Sequence, residues 1–177
     1  TGSMGVLVEN SNLIKKVYFA REVLVAANVA SWVVALLIEL AVLAVALLVA
    51  GNIVVPWLVP ALFLVAVQTV FVTGVGLLLS VLNVYFRDIQ HLVGILLQMW
   101  FYATPIVYSV GQVPQRWRSL YELNPMVRFV EAYRDLLYDL RFPPLLDTIY
   151  LVTVAAGTLA LGLFVFARLE PKLAEEL

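Results

Sequence analysis

The sequence predicts an all-α, polytopic membrane protein with four transmembrane helices, one amphipathic helix ahead of them and another before the last span. Three observations carry this expectation. Of 177 residues, 63% are hydrophobic and only 13% charged, against roughly 45–50% and about 25% in ordinary globular chains. Mean hydropathy is +0.99, and the apolar residues gather into runs near the roughly 20 that a helix needs to cross a hydrocarbon core. A short polar elbow, Asn83, Arg87, Asp88, Gln90 and His91, separates two of these runs. One soluble core cannot absorb so much apolar surface, so lipid is the solvent for much of the chain.

Residues 9–28 come first. Asn10 or Ser11 is placed to cap a helix, and Leu13, Ile14, Val17 and Tyr18 share one face beside Lys15 and Lys16. That pattern fits a short helix on a cationic membrane surface; it fits equally a basic flank of the next span. The first span is 29–50. Glu39 lies near its middle, where a carboxylate costs about 2.5–3.5 kcal/mol. It is expected to face helices, water or a partner, in either a functional or a structural role. Gly51, Asn52 and Pro56 make an uncharged turn. The second span, 57–82, opens on Trp57, suited to the interface. Gln68, Thr69 and Thr73 form a weak polar stripe, and Gly76 with Ser80 permits close packing. Asn83 is expected to end this span, and Phe86, Arg87 and Asp88 to set the depth of the elbow or dock something there.

The third span is 92–110, carrying Gln98 as a second intramembrane polar residue. Pro105 removes a helix hydrogen bond and should kink or stop it. Trp100, Phe101, Tyr102 and Tyr108 fit an interfacial belt, the stronger reading because Trp and Tyr are enriched there in any membrane protein; they also fit a stacking surface for sugar rings. Residues 111–147 hold five arginines, Arg116, Arg118, Arg128, Arg134 and Arg141. Asn124-Pro125 reads as N-cap and first helical residue. Met126, Val130, Tyr133, Leu137 and Leu140 recur at helical spacing, with Arg128, Glu131, Asp135 and Asp139 opposite. This amphipathic helix, ended by Pro143-Pro144, is too charged to span and should lie at an interface. The fourth span is 148–167, with Ala156 and Ala160 as a small-residue face, and 168–177 is a soluble charged tail.

Four spans put both ends on one side. That side carries six Lys/Arg (Lys15, Lys16, Arg21, Arg87, Arg168, Lys172) and the other five, so positive-inside counting alone does not decide; both ends are placed in the cytoplasm. Net charge is −1 and cysteine is absent, so nothing draws nucleic acid electrostatically and no thiolate metal site exists. His91, the single histidine, has no ligand partners near it. There is no GxxxxGK[ST] loop, no HExxH and no GxSxG. No catalytic residue, metal ligand or cofactor site is read, and energy must come from elsewhere.

Three blocks are familiar in combination: NSNLIKKVYFARE (10–22), NVYFRDIQHLVGILLQMWFYATPIVYS (83–109) and YELNPMVRFVEAYRDLL (121–137). In that order they resemble the membrane subunit of bacterial ABC-2 type exporters, in the branch that moves lipid-linked O-antigen or teichoic-acid chains. The resemblance covers nearly the whole chain. It implies a permease of the bacterial cytoplasmic membrane with both termini cytoplasmic, a separate ABC ATP-binding subunit, a second permease copy and lipid-linked polysaccharide as cargo. The first block becomes a coupling helix gripped by the ATPase through Leu13, Lys15, Lys16, Tyr18, Phe19, Arg21 and Glu22. Phe86, Arg87 and Asp88 become a cytoplasmic elbow. Asn124 and Pro125 start a re-entrant or interfacial helix on the exit side. Trp100, Tyr102, Tyr108, Trp117 and Tyr121 become a candidate glycan path. The sequence departs from the family in two ways: two family spans should precede the coupling helix where only about nine residues stand, so a fragment or truncated product is expected, and Ala20 stands where the family commonly has Pro. Two other readings are an ABC-2 permease for a drug or lipid, and a multi-pass enzyme on lipid-linked sugars with Glu39 or Asp88 as base.

Overall fold

Apolar runs of this length can satisfy their backbone in lipid only as helices or closed barrels. The computed structural model describes residues 22–86, 89–106, 108, 111 and 114–176, and all their regular structure is helical. Helix α1 is Glu22–Val49, and a 3-10 turn at Val55–Trp57 leads into α2, Leu58–Tyr85. Helix α3 is Ile89–Ala103, α4 Gln115–Leu123, α5 Pro125–Leu137 and α6 Leu145–Glu176.

Among the described residues, three helices, α1, α2 and α6, are long and apolar enough to cross a membrane. The third expected span differs. Helix α3 has 15 residues, about 22 Å at 1.5 Å each, and stops at Ala103 instead of running to 110. Pro105 is the reason: it carries no N–H and bars the helical conformation at Thr104. The backbone turns there, with Thr104 N–H to the Phe101 carbonyl at 3.2 Å.

Two packed clusters show how the chain is threaded. Val25 of α1, Leu77, Val81 and Val84 of α2 and Phe166 of α6 share one. Ala61, Leu64, Val67 and Phe71 of α2, Phe129, Ala132 and Leu136 of α5, and Leu151 and Ala155 of α6 share the other. The start of α1 and the ends of α2 and α6 therefore lie together. The start of α2 and the start of α6 lie at the opposite end, where Trp57 meets the Phe142 ring at 4.9 Å. Helix α3 starts beside the end of α2, and its last turns, at Leu97, Trp100 and Phe101, lie opposite Phe71, Val72 and Val75 near the middle of α2.

The α2–α6 crossing is set by glycines. A Cβ on Gly74 would lie 2.5 Å from the backbone of Thr158 and Leu159, and one on Gly162 would lie 2.6 Å from the Gly74 carbonyl. Backbones approach this closely only where side chains are absent. Gly76 and Ser80 are buried, but Ala156 and Ala160 point outward, so the expected small-residue face of the last span is not the packed one. Thr69 and Thr73 are satisfied within α2, by the carbonyls of Val65 and Thr69 at 2.7 Å each.

Further details correct the sequence reading or add to it. Asn83 is buried inside the last turn of α2 and does not end the span. A separate helix, α4, precedes Asn124. Helix α5 ends at Leu137, well before Pro143, because the chain reverses through Leu140 at φ +52 while Asp139 N–H returns to the Arg134 carbonyl. Asp135, expected on the polar face, is buried. The tail beyond 167 continues α6 as helix to Glu176. The first turn matches its signals closely: Gly51, at φ +90, closes α1 as Gly51 and Asn52 N–H reach the carbonyls of Leu48 and Leu47, a Schellman stop.

Candidate functional site

Polar chemistry gathers where α3 ends and α4 and α5 pack on the start of α6. It begins with Asn124. Its backbone is extended, Pro125 follows at the first helical position, and its Oδ1 accepts the Met126 N–H at 3.0 Å. That satisfies one of the donors a helix start leaves open. The same oxygen accepts the Trp100 indole N–H at 2.9 Å, so the cap of α5 is also a fastening to α3.

Further bonds hold the segment after α3. The hydroxyls of Tyr108 and Tyr121 share a hydrogen bond at 3.1 Å, and Tyr108 also donates to the Tyr102 carbonyl. The bond to Tyr121, and then partial loss of solvent, raise the Tyr108 hydroxyl above its ordinary pKa. Arg134 donates to the Ile106 carbonyl at 2.8 Å while pairing with Glu131 at 2.8 Å.

Arg128 joins three helices. Its Nε donates to the Glu122 carbonyl of α4 at 2.7 Å, its Nη1 pairs with Asp147 of α6, and its guanidinium lies 4.2 Å over the Tyr150 ring. Tyr150 in turn donates to the Leu123 carbonyl at 2.6 Å. Beyond α5, the buried Asp135 takes Arg141 Nε and Nη2 at 2.8 and 2.5 Å. That bond holds the Arg141 guanidinium above its usual pKa. Tyr133 donates to Gln68 of α2 at 2.9 Å, and burial pushes its hydroxyl well above the ordinary tyrosine range.

Two cavities border this junction. One of about 320 Å³ lies between α2 and α3, with Phe71, Val75, Gly76, Leu97, Trp100 and Met126 in its wall. The other, about 660 Å³, lies between Leu43 and Leu47 of α1 and Val130, Tyr133 and Leu137 of α5, with Glu131, Arg134 and Asp139 also lining it. Both sizes are in the range of ligand sites. Their mostly apolar walls suit hydrocarbon more than a reacting group.

The structure brings only some of the sequence-nominated residues together. Leu13, Lys15, Lys16, Tyr18, Phe19, Arg21, Arg87 and Asp88 lie outside the described residues, and Glu22 is the first residue of α1. Phe86 is exposed at the end of α2. Trp100, Tyr108, Tyr121 and Asn124 converge. Tyr102 is 68% exposed on the far side of α3 from Trp100, and Trp117 is half-exposed, with the Arg116 guanidinium 5.6 Å from its ring. Glu39 and Gln98 are exposed. Sequence reasoning missed Arg128, Arg134 and Tyr150 as fasteners, because their partners lie 19, 28 and 27 residues away. The one available signal was three arginines in a segment with apolar neighbours, each needing a partner when half-buried.

The fold and the site define a multi-pass α-helical membrane protein with a fastened helix pair at one end of its bundle. The family profile described as ABC-2 type transporter matches residues 1–138, and the chain belongs to that family. It is 31% identical over 143 residues to an O-antigen export system permease protein RfbA of Klebsiella pneumoniae, covering 78% of this chain and 54% of that protein. A second Klebsiella RfbA is 28% identical over 140 residues with the same coverage. The Myxococcus xanthus RfbA is 37% identical over 99 residues, 55% of this chain and 37% of that protein. The chain thus spans about half the length of the Klebsiella relatives.

Proposed function

We propose that the chain is membrane-spanning permease sequence of an ATP-driven exporter that moves lipid-linked polysaccharide across the bacterial cytoplasmic membrane. The observation that carries this is the similarity across 78% of the chain to an O-antigen export permease, which joins a family of transporters. The bundle is compatible with it. The start of α1 and the end of α6 share one end, which becomes the cytoplasmic face, and the α4–α5 pair lies toward the other, which becomes the exit side.

In this reading a separate ABC ATPase binds residues 13–22, with Lys15, Lys16, Arg21 and Glu22 setting the polarity of docking. The elbow at Phe86, Arg87 and Asp88 is cytoplasmic. A second permease copy completes the conduit, and ATP binding shifts one set of rigid spans against the other. Trp100, Tyr108 and Tyr121 are candidates for the wall of the glycan path, with Tyr102 and Trp117 at its margins. Teichoic-acid chains and O-antigens share the chemistry this path would meet, a polyhydroxylated chain on a lipid anchor.

The test is ATP-dependent appearance of lipid-linked glycan in the lumen of proteoliposomes holding the complete permease and its ATPase. Replacing Lys15→Glu and Lys16→Glu is expected to leave the permease inserted and ATP hydrolysis present while export falls to background. Export in the absence of the ATPase, or ATP-driven movement of a drug and not a glycan, would overturn the assignment.

A further inference from the structure

We propose that Asn124 is a positioning residue that makes α3 and the α4–α5 pair move as one body, with the cavity between α2 and α3 as the space that this motion opens and closes. The proposal rests on the transport reading for its purpose but on geometry for its substance. One oxygen, Asn124 Oδ1, serves two donors, the Met126 N–H of α5 and the Trp100 indole of α3. A cap needs only the first.

The second bond falls at a mechanically telling place. Helix α3 is weakly held along most of its length: Leu92, Ile95, Leu96 and Met99 are each about 60% exposed, and Val93 is its one buried residue. Toward its C-terminal end the situation reverses. Trp100 is tied to Asn124, Tyr108 to Tyr121 and the Ile106 carbonyl to Arg134. All three bonds run from α3 and its following segment to α4 and α5. None runs to α2, from which α3 is separated by the apolar cavity of about 320 Å³.

Apolar contact across that cavity is non-directional and can slide or refill, whereas a shared acceptor with two donors has a fixed geometry. Displacement of α3 therefore carries the start of α5 with it and changes the gap to α2. Trp100 is the more informative partner, because its ring lines the cavity while its N–H is spent on the joint.

The experiment uses the complete permease with its ATP-binding partner, exploiting the absence of cysteine from this sequence. Spin-label pairs are placed at Met99 and Tyr138, reporting α3 against the end of α5, and at Met99 and Leu62, reporting α3 against α2. In the native protein the first distance is expected to stay constant between nucleotide-free and nucleotide-trapped states while the second changes. Trp100→Phe keeps an apolar ring and the α5 cap but removes the donor. Asn124→Ser keeps a capping hydroxyl but is too short to reach the indole.

Each variant should broaden the first distance distribution and lower export per ATP hydrolysed about fivefold, the scale of one net hydrogen bond. The double variant should be no worse than either single one, and Asn124→Asp, which keeps the acceptor, should restore the native distance. An unchanged first distance in Trp100→Phe and Asn124→Ser, or a native first distance that itself shifts with nucleotide, overturns the proposal. Absence of ATP-driven glycan export in the native complex overturns the transport reading instead, and the distances still decide whether the joint exists.

Discussion

Arg128 shows how much one side chain can fasten in this protein. A guanidinium offers several donors in a rigid plane, and here it uses them on the Glu122 carbonyl and the Asp147 carboxylate while its face covers Tyr150. Lysine has neither the fork nor the flat face. Arg128→Ala is expected to lower stability by about 1–3 kcal/mol, the cost of leaving part-buried polar groups without partners, and Arg128→Lys to recover only part of that. Thermal unfolding of the purified protein in detergent measures both. Equal melting temperatures for native protein and Arg128→Ala would show that the clamp contributes nothing. The sequence disclosed Asn124 at this scale, because a cap and its following Pro are neighbours in the chain. It hid Arg128, because Asp147 becomes a neighbour only after α5 turns back through Leu140.

Among the elements, α2 is the axis. It packs on α1, α5 and α6, and 39% of its most apolar stretch is buried, against 11% for α1 and 22% for α6. Its contact with α6 depends on Gly74 and Gly162 approaching backbone to backbone. Gly74→Ala forces a methyl group into the Thr158 backbone and is expected to cost about 1–3 kcal/mol, as overpacking does. Gly157→Ala is the internal control, since nothing lies within 4 Å of the added carbon, and it should be neutral or stabilising by about 0.4–1 kcal/mol through the unfolded chain. A comparison of the two melting temperatures decides this; a Gly74→Ala protein as stable as Gly157→Ala would refute the close backbone crossing at Gly74. The sequence pointed to Ala156 and Ala160 as the small-residue face of the last span and passed over Gly162. Helical spacing alone does not say which face of a uniformly apolar helix turns inward.

For the molecule as a whole, threading fixes sidedness without reference to charge. Phe86 and Arg168 are expected on one side of the membrane, and Ile53 and Tyr138 on the other, because the clusters around Phe166 and Leu151 hold the helix ends in that order. Single cysteines at these four exposed positions, treated with a membrane-impermeant thiol reagent on sealed vesicles, should label in two pairs. Labelling of Phe86→Cys and Tyr138→Cys from the same side would refute the threading. Helix α1 presents most of its surface, Glu39 included, outside this bundle. A mid-span carboxylate left to hydrocarbon is costly, so this face belongs against protein or water.

The sequence by itself determined the helical class, the existence of the apolar runs, the stop at Gly51-Asn52, the break near Pro105 and the start of α5 at Asn124-Pro125. All of these follow from hydropathy, length or backbone chemistry within a few residues. Only the tertiary structure decided that Asp135 turns inward to Arg141, that Gly74 meets Gly162, and that the Trp100 indole joins the Met126 N–H on the Asn124 oxygen. The physical reason is common to these last cases: in a chain apolar on nearly every face, hydrophobicity says which segments enter lipid but does not rank their faces. That ranking comes from a small number of polar and steric fits between residues far apart in the chain.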